Sequence, residues 1–108
     1  MAPLGRDHDT TTAFGLSTFL MTVDGPSSTL GLLVDMLSAD KTLSRSDWTV
    51  SHTVASRDAF VKQLRAAGSA QRRIAFAVHT DSAVEAIKRT ATRLKLGNHC
   101  LKTNAHKP

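Results

Sequence analysis

The chain predicts a small single-domain α/β sandwich, with helices packed on a three- to four-stranded sheet in the order βαβαβα. Three observations lead there. In three stretches large apolar residues recur at every second position, the period of two that a strand needs. Following each of them, apolar residues recur at helical spacing, the stripe of an amphipathic helix. The length of 108 residues, with 41% hydrophobic side chains, suits one core.

Residues 1–12 are polar and without period, and are expected to form a flexible leader. The α/β domain is expected over residues 13–97 and a basic flexible tail over residues 98–108. The first strand is expected over residues 16–23, where Phe19, Met21 and Val23 share a face, and Asp24, Gly25 and Pro26 stop it with a turn. Ser27 or Ser28 then caps a helix to about residue 39, with Leu30, Leu33, Val34 and Leu37 along one side. Residues 40–47 read as a polar connection. A strand there would convert the order to a ferredoxin-like βαββαβ plan, the alternative architecture, but the segment is too polar to favour it.

Trp48, Val50, His52 and Val54 alternate with Thr49, Ser51 and Thr53, so residues 48–54 are expected to form a strand toward the sheet edge. Ser56 is the next expected N-cap, with Asp58 in the first turn where the helix dipole favours negative charge. Phe60, Val61, Leu64 and Ala67 give that helix its apolar side, and Gly68 stops it. Ile74, Phe76 and Val78 alternate with Ala75 and Ala77, the pattern expected for the centre of the sheet. In the last helix Ser82 and Glu85 stand at capping-box spacing, Val84, Ile87, Ala91 and Leu94 form the apolar stripe, and Gly97 closes it.

Composition narrows the function classes. The single cysteine, Cys100, rules out an intramolecular disulfide. The longest apolar-rich run, residues 13–23, is far shorter than the roughly 20 residues that span a bilayer, and Asp7 and Asp9 spoil a basic signal-peptide head. A soluble intracellular protein, cytoplasmic by default and with no membrane partner, is the expectation.

Charge is divided unevenly. Residues 1–61 carry four Lys and Arg against seven Asp, whereas residues 62–108 carry ten Lys and Arg against Asp81 and Glu85 alone. A localised positive field is what polyanions recognise. Lys88, Arg89, Arg93 and Lys95 fall outside the apolar stripe of the last helix and Lys102 follows in the tail, a set suited to phosphates. Arg72 and Arg73 enter the preceding strand from its other end and are not expected to join them. The plain alternative is a solvated helix face, with Glu85 and Arg89 pairing at i, i+4. Aromatics make up only 5% of the chain, so a base-stacking platform is not expected and any contact should be mainly to backbone.

Residues 25–31 form a second candidate, an anion-binding loop in which Ser27, Ser28 and Thr29 offer hydroxyls beside the free N–H groups of a helix start. No lysine follows Gly31, so this is not a nucleotide phosphate loop. Residues 18–38 are similar to the opening strand, turn and helix of small regulatory ACT-type domains. In place of their Pro-Gly-x-Leu turn stand Pro26, Ser27, Ser28, Thr29 and Leu30, so the glycine is absent and the spacing differs.

Nothing in the sequence supplies catalytic, metal or cofactor chemistry. His99 and Cys100 are adjacent with no second cysteine or spaced histidine, the aspartates are scattered, and no nucleophile elbow is present. Of the five histidines, His79 at a strand end is the best placed for function. The expected function is therefore a non-enzymatic module binding nucleic acid, RNA ahead of DNA, on a structured or double-stranded target. The alternatives are a protein-interaction or inhibitor subunit acting through a sheet edge or homodimer, and a small-molecule regulatory domain using residues 25–31.

Overall fold

The computed structural model of the protein describes residues 19–50 and 56–102. The leader, the proposed strand residues 16–18 and 51–54 with His52, and the tail beyond residue 102 lie outside the described residues. Seven elements follow in order: β1 (Phe19–Pro26), α1 (Ser27–Ala39), β2 (Trp48–Val50), α2 (Arg57–Ala66), β3 (Gln71–Val78), α3 (Asp81–Arg93) and β4 (Gly97–Lys102). The α/β class holds, and the order βαβαβα gains a fourth strand at its end.

The strands form one sheet in the order β2-β3-β1-β4, every neighbouring pair antiparallel. Strands β1 and β2 therefore run parallel with β3 between them, and β3 and β4 run parallel with β1 between them. Two βαβ units interleave, as in the alternative plan. Its fourth strand comes from Gly97–Lys102, however, and not from residues 40–47, which form hydrogen-bonded turns. Because Gly97–Lys102 pairs along β1, the domain extends past residue 97 into the segment expected to be a flexible tail. The sequence conceals this strand because β4 is half-exposed to exposed throughout and carries no apolar alternation.

Alternate positions of the strands build the core. Met21, Val23, Trp48, Val50, Ile74, Phe76 and Val78 join buried residues of all three helices in one cluster. Phe60, Val61 and Leu64 come from α2, and Ala83, Val84, Ile87 and Ala91 from α3. The expectation of β3 at the sheet centre and residues 48–50 at its edge is met. The Trp48 and Phe76 rings meet at 5.6 Å between centroids, tilted by 56°, a favourable edge-on arrangement.

Element ends depart from the sequence reading in three places. Strand β1 does not stop at Asp24 but pairs through Pro26 with Gln71 and passes directly into α1. Helix α1 has no side-chain cap: Pro26 occupies the N-cap, and Ser27 is buried in the first turn. Helix α3 is capped by Thr80, whose Oγ1 accepts from the Ala83 N–H at 3.2 Å, so Ser82 is not the cap. Ser56 does cap α2 as expected, accepting from the Ala59 N–H. Gly68, at φ +60°, follows the α2 C-terminus as expected.

The end of α3 is closed by Lys95 and not by Gly97. Lys95 adopts φ +62°, its N–H donates to Thr92 O, and the Leu96 N–H donates to Ala91 O at 2.8 Å. This pair of bonds is a Schellman motif, in which glycine usually holds the left-handed position. The motif turns Leu96 onto β1, where a Cβ on Gly25 would overlap Leu96 Cδ2. Leu96 is 5% exposed, so its side chain has little room to retreat.

Two stability predictions follow from that corner. Gly25→Ala should cost about 1–3 kcal/mol by overpacking, and the penalty should shrink by about 1 kcal/mol or more in a Leu96→Ala background; urea denaturation of the four proteins checks this. Lys95→Gly should stabilise by about 1 kcal/mol, because the left-handed conformation then carries no Cβ penalty; an unchanged or lower denaturation midpoint would refute the strain at Lys95.

Candidate nucleic-acid interface

Helix α3 positions the basic residues, and its geometry separates them. Arg89 and Arg93 are exposed on successive turns of the side that faces α1. With Thr90 they line an open groove of about 420 Å³ against Met36, Ala39 and Asp40 at the end of α1. The Thr90 hydroxyl donates to Ala86 O within its own helix at 2.8 Å, so the groove's cationic donors are the two guanidiniums. Lys88 is half-buried on the opposite flank, about 100° round the helix from Arg89.

Lys95 does not lie on the helix at all, since α3 ends at Arg93. It stands in the Schellman turn, next to the end of the sheet where Gly25 pairs with Arg72 and Asp24 with both Arg73 and Gly97. Lys102 lies at the far end of β4, roughly 17 Å from Gly97 at about 3.3 Å per residue. The five residues are therefore not one surface. Arg89, Arg93 and Lys95 run toward one end of the domain, Lys88 faces away from the groove, and Lys102 is at the other end.

Arg72 and Arg73, set aside in the sequence reading, belong to the same end as Lys95. The signal was available: a helix returning antiparallel over its preceding strand finishes beside that strand's beginning. Arg73 is not a free charge, because its Nε donates to Asp24 Oδ1 at 2.7 Å. That hydrogen bond, and next the aspartate's charge, hold the Arg73 guanidinium above its ordinary pKa. Arg65 pairs with Asp35, joining α2 to α1. Arg57 lies 3.7 Å over the Trp48 ring and donates to the carbonyls of Trp48 at 2.6 Å and Arg45 at 3.2 Å. Among the described residues no ion pair involves Arg72, Arg89 or Arg93, and Glu85 does not pair with Arg89.

One carboxylate stands at the groove's rim. Asp40 Oδ1 accepts from the Thr42 hydroxyl at 2.6 Å and from the Thr42 N–H at 2.8 Å. These bonds, with a smaller contribution from the Arg89 charge, hold its pKa below the usual carboxylate value.

The second candidate, at residues 25–31, is stitched into the fold. The Ser27 N–H and Oγ both donate to Ala70 O, at 2.8 and 2.9 Å, and the Ser28 N–H donates to Gly68 O at 2.8 Å. The loop after α2 thus takes two of the backbone donors at the start of α1, with the Ser27 hydroxyl. His79 follows the end of β3, its backbone N–H on Asp47 O at 2.9 Å. Among the described residues no three His, Cys, Asp or Glu side chains gather as a metal site, and no helix is long and apolar enough to cross a membrane.

The described aromatic side chains do not furnish a stacking surface. Trp48, Phe60 and Phe76 are buried in the core and Phe19 packs against it. The opposite sheet face instead carries Leu20, Thr22, Thr49, His99 and Leu101, by strand alternation. Comparison with protein-family models, curated proteins and solved structures finds no match.

Asp40 gives a pH test of the rim. A depressed carboxylate pKa contributes stability above the ordinary carboxylate pKa, and that contribution is lost as acidification passes through the folded value. Thr42→Val removes the hydroxyl bond, so the Asp40 titration followed by NMR should move up toward the ordinary value, and an unmoved titration would show that Thr42 does not set it.

Proposed function

We propose that the chain is a non-enzymatic nucleic-acid-binding module that contacts the phosphates of a structured or double-stranded target, with RNA ahead of DNA. The observation that carries this reading is the distribution of guanidiniums. Arg57, Arg65 and Arg73 are engaged within the fold, whereas Arg89 and Arg93 stand exposed on successive turns without an ion pair among the described residues. Arginine forks on successive turns, about 6 Å apart along the helix, suit neighbouring phosphates. Lys95 and Arg72 extend the positive field past the end of α3.

The composition of the opposite sheet face supports a backbone-directed mode. Sheet platforms that read single strands stack bases on exposed aromatic rings, and the described aromatics here are committed to the core. Contacts led by phosphate and shape are strongly salt-dependent. The basic residues touch no reacting group in this reading, so no chemical step is assigned to them.

A second reading, a protein-interaction subunit acting through a sheet edge, draws support from β4 rather than from β2. At the β2 edge that the sequence favoured, the Trp48 carbonyl accepts from the Arg57 guanidinium, and residues 51–54 lie outside the described residues. Solution mass after nuclease treatment, with and without a lysate, separates this reading from the first.

The binding test uses duplex RNA, duplex DNA and single strands across a salt series. Arg89→Glu with Arg93→Glu should weaken duplex binding by more than about tenfold and flatten the log–log salt slope by roughly two. Circular dichroism checks that the double variant folds. Unchanged affinity would remove this surface, and preference for single strands would refute the duplex target.

A further inference from the structure

Strand β4 is an edge of the sheet with β1 as its one partner among the described residues. An edge strand presents a row of backbone donors and acceptors that only another strand satisfies in full. The other edge, β2, has Arg57 on its Trp48 carbonyl. Side chains do not blunt β4 in this way, since its one described side-chain bond is Asn98 Nδ2 to Leu96 O at 3.4 Å. Leu101, 65% exposed, stands on β4 opposite Leu20 of β1.

Helix α3 says which strand fits. At about 100° per residue, Asp81, Glu85, Lys88 and Thr92 fall within an arc of about 60°. This arc is on the flank away from the Arg89 and Arg93 groove, hence away from α1 and above the β4 edge. Along it the charge runs from acidic at the helix start to basic further on. An antiparallel second α3 would set the acidic part of each helix beside the basic part of the other.

We propose that a second copy of this chain docks on the β4 edge, the two β4 strands pairing antiparallel about a twofold axis at Cys100. In this register Asn98 opposes Lys102 of the second copy, and His99 opposes its Leu101. Like charges do not face each other, and each exposed leucine gains a covering side chain. The axis also falls at a consistent height on the helices. Three residues of β4 at about 3.3 Å rise as far as about seven of α3 at 1.5 Å, which sets the axis near Ile87. Glu85 then lies opposite Lys88 of the second copy, twice per dimer. The inference is independent of nucleic-acid binding, because it uses neither Arg89 nor Arg93.

The test is sedimentation equilibrium of the nuclease-treated 108-residue chain across a concentration series, at low and high salt. The mass should rise from 11.6 kDa toward twice that value. Glu85→Lys and Lys88→Glu should each weaken association roughly tenfold. The double exchange, which restores the opposite charges across the axis, should return to within about threefold of the parent. Diamide oxidation of the parent and the double exchange should link two copies through Cys100, since facing antiparallel residues lie within disulfide reach. A single-chain mass at every concentration overturns the proposal. So does a dimer unmoved by both single exchanges, or one that oxidation fails to link.

Discussion

The described fold depends on β1 being paired along both of its edges. Eight residues of β3 lie along one side and six residues of β4 along the other, so β1 fixes the position of both βαβ units. Its apolar positions meet the helical layer, and its last residues open into α1 without an intervening loop. The weak point of such a strand is its final turn, where β4 must begin. There the absence of a side chain on Gly25 admits Leu96, and the Schellman turn at Lys95 delivers it. Register, helix termination and packing are therefore one event at this corner.

The same economy governs the charges. Helix α1 begins where the loop between α2 and β3 supplies carbonyls to Ser27 and Ser28, so its positive dipole end is answered inside the protein. The Asp35–Arg65 and Asp24–Arg73 pairs are exposed and contribute little stability. What they change is the field: they neutralise cations on α2 and β3 while leaving those of α3 unanswered. Among the described residues Arg89 and Arg93 have no ion pair, although Glu85 stands one turn before Arg89.

Much of the architecture is legible in the residues. Helical stripes such as Leu30, Leu33, Val34 and Leu37 report burial directly, and each is buried. The Ile74, Phe76 and Val78 alternation located an inner strand because both of its neighbours supply facing apolar side chains. Strand β4 was hidden for the opposite reason: at a sheet edge, with half of its surface wet, Gly97–Lys102 needs no apolar period to pair. Caps failed where two hydroxyls compete. Thr80 and Ser82 lie two residues apart, and strand β3 ends early enough for the first of them to take the Ala83 N–H. Candidate site residues were legible as a list but not as a surface, because neighbours on a helix such as Lys88 and Arg89 face different ways, and Arg72 comes to the same end of the sheet as Lys95 only through strand pairing.

Arg57 has a consequence beyond holding Trp48. A sheet open at both edges can add copies without limit, and an assembly of that kind grows into fibres. By spending its guanidinium on the Trp48 carbonyl and ring, this residue makes the two sides of the sheet unlike. If copies pair through β4 as proposed, lateral growth has a valence of one, and a valence of one with twofold symmetry closes after a single step. In that assembly the charge at the α2 start would act as a chain terminator at the described part of the β2 edge.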